Sequence, residues 1–168
     1  MRRLVDSDDF PGSKHTAYLD AANIALMHRS AQREIVDWQR DLADNGSLAM
    51  NEAAEANIFE GLHRAGAKLF NAEPEDIAAG SSATELLGSL AWAVAPEAET
   101  NVVGTASAFP STMYPWQRVA ARTGCQIRLA EGDAHHVRLD DIVWLIDEET
   151  AVVCISHVEY GSGQRFNL

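Results

Sequence analysis

Residues 77 to 94, IAAGSSATELLGSLAWAV, run from an apolar tripeptide through Gly80, Ser81, Ser82, Ala83 and Thr84 into a helical pattern. Side chains this small let the backbone turn tightly and leave its amide N–H groups accessible. A helix that starts there adds the positive end of its dipole, and free amides at a helix start bind phosphate. The same letters also read as an ordinary capping box, Ser82 as N-cap with Glu85 three residues on, which needs no ligand. Spacing alone leaves both readings open. Leu86, Leu87, Leu90, Ala91 and Val94 are the positions expected to bury the helix behind the loop.

Few other side chains offer chemistry by their spacing. Cys125 and Cys154 lie in apolar runs with neither metal-ligand spacing nor a third partner, and read as buried core thiols of a reduced compartment. His135 and His136 sit together in an acidic loop, where solvent exposure explains them better than a metal. His157 ends the strand expected over residues 151–158 and reads as a satisfied histidine rather than a ligand. The chain therefore offers no metal site. Its two lysines are Lys14, in a polar leader over residues 1–17, and Lys68, within a helical pattern.

The elements that would position these residues alternate in type. HRSAQREIVDWQRDLADNG carries Ile35, Trp38 and Leu42 at helical spacing and stops on Asn45-Gly46. NEAAEANIFEGLHRAGAKLF predicts one further helix, capped by Asn51, with Ile58, Leu62, Ala65 and Leu69 on one face. Strand-sized apolar runs follow at 76–79 (DIAA), 101–104 (NVVG), 125–129 (CQIRL) and 151–158 (AVVCISHV). Between them lie helical segments at 86–94, at about 112–123 before Gly124, and at LDDIVWLI with Asp140 as a cap. Strands separated by helices imply an α/β fold with a parallel sheet and right-handed crossovers. Ligands of such a sheet collect beyond the carboxyl ends of its strands, where the 77–94 loop is expected to lie.

Composition narrows the function. Acidic residues outnumber basic ones 25 to 13, so the surface repels nucleic acid and anionic membranes. A length of 168 residues suits one domain with a real core, and no apolar run approaches the ~20 residues of a membrane span. With no signal-like h-region in MRRLVDSDDF, a cytoplasmic location is expected.

Four motifs in order, YLDAAN, GSSATELL, FPSTMYPWQRVAARTG and SHVEYGSGQRFNL, resemble the class V aminotransferase family, which includes cysteine desulfurases, kynureninase and isopenicillin-epimerase-like enzymes. The resemblance runs from about Tyr18 to Leu168. It implies pyridoxal 5′-phosphate chemistry of fold type I, with residues 18–168 as the N-terminal part of a large domain built as a three-layer sandwich around a mainly parallel sheet. In the family, the loop that SSATE resembles holds the cofactor phosphate, which puts Ser82, Ala83 and Thr84 at the cofactor, the last two at the contacting positions. Phe109 falls where the family places a ring against the pyridine face, and FPS is closer to kynureninase than to the desulfurases. A core phenylalanine at a strand end is the other reading. Tyr160 lies near the place where desulfurases carry an Asn beside the phenolic oxygen.

The resemblance also defines what the chain does not supply. The family's Schiff-base lysine and the carboxylate that keeps the pyridine nitrogen protonated follow the segment resembling SHVEYGSGQRFNL, and neither Lys14 nor Lys68 occupies the family position. No catalytic residue is therefore expected in this chain. A complementing protein subunit carrying the Lys and the Asp would complete a split, hetero-oligomeric enzyme acting on an amino acid at Cα or Cβ. A non-catalytic truncated homologue that binds or regulates a complete enzyme, and a fragment of a longer chain, are the alternatives.

Overall fold

A computed structural model describes residues 6–133 and 136–167. The chain divides into two compact units, one up to Pro74 and one from Glu75. In the first, short 3-10 turns at Ser7–Asp9 and Pro11–Lys14 precede helices α1 (Arg29–Asn45), α2 (Glu52–Ala56) and α3 (Glu60–Phe70). The single helix expected from residue 51 is thus two. Asn51 caps α2 as the sequence suggests, its side chain accepting from Ala54 N at 3.0 Å. The helix then ends because Asn57 turns its Nδ2 back onto the Ala53 carbonyl at 2.7 Å, a local bond that competes with continued helix. The expected apolar faces are open: Ile35, Trp38 and Leu42 on α1, and Leu62 and Leu69 on α3, are all exposed.

The second unit holds the sheet. Helix α4 (Ala83–Val94) leads to β1 (Asn101–Thr105), α5 (Pro110–Thr123), β2 (Gln126–Ala130), α6 (Leu139–Val143) and β3 (Thr150–Val153). All three strands are parallel in the order β2-β1-β3, so β1 is central and every one of its residues is buried. Val102 faces one side, with Ala91 of α4 and Met113, Trp116 and Val119 of α5. Val103 faces the other, with Ile142 of α6, Val137 and Phe166. Helices on both faces of a parallel sheet give three layers, the architecture expected. Burying an apolar side chain such as Val102 or Val103 contributes roughly 1.5–3 kcal/mol. α5 stops at Gly124, whose φ of 85° is left-handed and suits glycine.

Several local expectations give way to tertiary context. DIAA forms no strand: Pro74–Asp76 is a 3-10 turn, and the residues after it find no ladder partner among the described residues. β3 ends at Val153, so His157 lies in the following loop, exposed. α6 is capped by the backbone of Arg138, with Asp140 inside its first turn. On α4 only Ala91 of the expected buried positions is fully covered, and Leu90 and Val94 are half exposed. Cys125 is buried, whereas Cys154 is partly covered at the edge of the same cluster, where burial raises its thiol pKa against a smaller opposing effect of Trp116. His136 is exposed, as expected; His135 lies outside the described residues.

Two features of the sheet yield measurable consequences. A Cβ added to Gly104 would stand 2.3 Å from Met113 Sδ and 3.2 Å from the Cys154 carbonyl oxygen, because α5 crosses β1 closely there. Gly104→Ala is expected to destabilise the fold by about 1–3 kcal/mol in urea unfolding. Combined with Met113→Ala, the loss should be smaller than the sum of the single losses. Additive losses would contradict the close approach.

At the opposite, amino end of the strands, the buried Asn101 donates to Asp147 Oδ1 at 2.9 Å, and Arg128 of β2 pairs with Asp147 Oδ2. The Arg128 guanidinium first, and the Asn101 amide second, hold the Asp147 carboxyl at a pKa of about 2. The folded value lies below the ordinary aspartate value of ~3.9, so ionised Asp147 stabilises the fold above that value, and the stabilisation is lost as pH falls towards 2. The stability gap between wild type and Asp147→Asn should therefore shrink from pH 4 to pH 2. A gap constant across that window would contradict the pairing.

Candidate functional site

The loop before α4 folds as its small residues suggest. Ser82, with extended backbone at φ −163°, caps α4 by accepting from Glu85 N at 3.2 Å. Glu85 completes the box one residue earlier than expected: its Oε2 accepts from Ser81 N at 2.8 Å and from Ser81 Oγ at 2.5 Å. Those two bonds hold the Glu85 carboxyl below the ordinary glutamate value. The carboxylate therefore occupies the amide of residue 81, and the amides of Ala83 and Thr84 at the helix tip have no partner among the described residues.

Thr84 links this tip to a second one. Its Oγ1 lies 2.7 Å from Ser111 Oγ, in hydrogen-bond contact, and Ser111 occupies the first turn of α5 behind Pro110 at the preorganised first position. Two helix N-termini, each carrying the positive end of a dipole, are thus joined by their hydroxyls. α5 has no side-chain cap of its own, since its N-cap residue is Phe109. An anion accepted here would meet unpartnered amides and two hydroxyls.

Phe109 is not a core residue. Its ring is half exposed and stands edge-on to Tyr160, with centroids 5.1 Å apart and planes at 88°. The structure therefore brings two of the predicted positions, Phe109 and Tyr160, into direct contact, and links Thr84 to them through Ser111, two residues beyond Phe109. Beside the ring pair opens a cleft of about 410 Å³ lined by Ala106, Ser107, Ala108, Glu159, Tyr160 and Ser162. It lies just past the carboxyl end of β1, the place where open parallel sheets bind ligands.

Sequence reasoning missed Ser111, Ser107 and Glu159. Ser111 stood inside the FPS motif, and serine in the first turn after proline was the available signal. Ser107 Oγ and Glu159 Oε2 are buried without a hydrogen-bond partner among the described residues. No pattern in the sequence marks them. Among the described residues no cluster of His, Cys, Asp and Glu could hold a metal, and no helix is long and apolar enough to cross a membrane.

Comparison with known proteins places this geometry in context. The profile of the family described as Aminotransferase class-V matches residues 17–168. An uncharacterized aminotransferase, YcbU, of Bacillus subtilis (strain 168) is 27% identical over 154 residues, 92% of this chain and 40% of that protein. A kynureninase of Bacillus cereus is 24% identical over 169 residues, 95% of this chain and 40% of that protein. The chain thus spans about 40% of the length of these curated relatives. A structure of C-DES with glycine covalently linked to its PLP cofactor superposes with a TM-score of 0.82 at 24% identity, covering 98% of this chain and 44% of that one. That likeness establishes the α/β fold.

Proposed function

The chain belongs to the class-V aminotransferase family, and from that premise we propose that it is the cofactor-cradling part of a pyridoxal 5′-phosphate enzyme acting on an amino acid at Cα or Cβ. The observation that carries this reading is the Thr84–Ser111 contact, which fuses the N-termini of α4 and α5 into one anion-accepting corner. The residues present fit such a group. Ala83 and Thr84 offer amides and Ser111 a hydroxyl to a phosphate, Ser82 fixes the helix start, and the Phe109–Tyr160 pair offers an aromatic wall to a flat ring. When bound, the cofactor supplies the electron sink that amino-acid chemistry of this class needs. This chain's own residues bind and orient it. The fit and the family premise together support the cofactor, and C-DES carries the same one.

We further propose that the lysine which bonds the cofactor's aldehyde, and the aspartate that pairs with its pyridine nitrogen, come from polypeptide beyond these 168 residues. Supporting this, the unit that carries the site has no lysine from Glu75 onward. Lys14, in the other unit, is paired with Asp8 at 2.6 Å, and Lys68 is exposed on α3. Borohydride reduction of the assembled, cofactor-loaded protein, followed by peptide mapping, should tag a lysine outside this sequence. A tag on Lys14 or Lys68 would overturn the proposal.

A further inference from the structure

Among the described residues, Glu159 is the only charged side chain that is fully buried, at 1% exposure. Its Oε1 accepts a hydrogen bond from Thr105 Oγ1 at 2.8 Å, while its Oε2 has no partner among the described residues. Ser107, whose hydroxyl is likewise buried and unpartnered, lines the same cleft. A half-satisfied buried carboxyl costs stability, so the burial of Glu159 is better explained by what it holds than by what it stabilises.

What it holds is the loop that presents Tyr160. Thr105 is the last residue of β1, and Glu159 directly precedes Tyr160, so their bond ties the carboxyl end of the central strand to the near limb of the turn. Other anchors act within the turn or on its far limb. The Glu159 backbone pairs with Gln164 O and Gly163 N, both at 2.8 Å. Gln164 then grips the Val137 backbone through both its amide atoms, and Phe166 is buried beyond it. Among the described residues, the Thr105–Glu159 bond is the hydrogen bond to β1 nearest Tyr160 on the side that bears it, the next being Cys154 N to Val103 O at 2.9 Å, five residues upstream of Glu159. β1 is the strand that leads into Ser107 and Phe109.

We propose that Glu159 is a positioning residue: by bonding Thr105 across the end of β1 it sets Tyr160 edge-on to Phe109 and so shapes the aromatic wall of the cleft. This rests on reading that wall as the seat of the cofactor ring. The bond needs an acceptor at Oε1 and a hydroxyl at residue 105. Glu159→Gln and Thr105→Ser retain both groups; Glu159→Ala and Thr105→Val each remove one.

The test compares these four variants of the full chain by two readouts. The first needs no cofactor: the ring-current shift that Phe109 imposes on Tyr160, seen by NMR in tyrosine-labelled protein and assigned with Tyr160→Phe. The second is the affinity for pyridoxal 5′-phosphate set against that for inorganic phosphate. Thr105→Val and Glu159→Ala should lose the Tyr160 shift and weaken pyridoxal 5′-phosphate about tenfold, with phosphate affinity unchanged. Thr105→Ser and Glu159→Gln should resemble wild type. Retention of the Tyr160 shift in folded Thr105→Val would overturn the proposal. Should Glu159→Ala not fold, the Thr105→Val and Thr105→Ser pair decides alone. Failure of the wild type to bind pyridoxal 5′-phosphate would overturn the cofactor reading, and the NMR shift would still decide the positioning role.

Discussion

Replacing Thr84 by Asp is expected to weaken binding of pyridoxal 5′-phosphate by at least about a hundredfold while leaving the fold as stable as before, or slightly more so. The two effects have opposite signs for one reason. Thr84 is the second residue of α4, where a carboxylate interacts favourably with the helix dipole by about 0.3–1 kcal/mol. The same carboxylate would occupy the corner where the α4 and α5 tips meet through the 2.7 Å contact with Ser111, and it would repel a phosphate there at a cost of several kcal/mol. Thr84→Ala, which removes only the hydroxyl, should cost about 1 kcal/mol or somewhat more. Ligand titration beside thermal unfolding separates the effects. Equal affinity in wild type and Thr84→Asp would exclude the corner as a phosphate site.

Trp116→Ala is expected to cost about 3–5 kcal/mol of stability, enough to leave a domain of this size largely unfolded under mild denaturant. Trp116 is 2% exposed and packs with Val102, Met113, Val119 and Cys125 where α5 lies on the sheet. Truncation would leave a large cavity under the helix whose first turn carries Ser111 and whose N-cap is Phe109. A control is available in Trp144, 88% exposed, whose replacement by Ala should stay within about 0.5 kcal/mol of wild type. Urea midpoints compare the two. Similar losses at both positions would contradict the core described.

The sequence made the local parts of this architecture legible. Ser82 as a cap, Gly124 as a helix stop and a strand at 101–104 each follow from a few adjacent letters, and each is present, the strand one residue longer as Asn101–Thr105. Parallel pairing followed from the alternation of strand and helix. The central place of β1 did not, because strand order depends on contacts distant in sequence. DIAA shows the limit from the other side: an apolar run becomes a strand only where a ladder partner exists. The break at Asn57 hinged on one side chain choosing a backbone carbonyl four residues back, a competition that periodicity does not register.

The same division holds for the site. The tip of α4 could be read from its small residues, and the resemblance to the family marked Phe109 and Tyr160. Their mutual contact, the Thr84–Ser111 contact 27 residues apart and the Thr105–Glu159 bond 54 apart are tertiary facts. Glu159 illustrates this best. Within SHVEYGSGQRFNL it is one acidic letter among several in the chain, and only burial at the end of β1 separates it from the solvated ones.

The central claim, that the joined tips of α4 and α5 hold the phosphate of a pyridoxal cofactor, is tested most directly by competition. Pyridoxal 5′-phosphate would be titrated into the protein with and without inorganic phosphate, and the titration repeated with pyridoxal, which lacks the phosphate. The account predicts that phosphate competes, that pyridoxal binds far more weakly, and that Thr84→Asp abolishes the difference between the two ligands. Equal binding of pyridoxal and its phosphate ester, unaffected by inorganic phosphate, would contradict it.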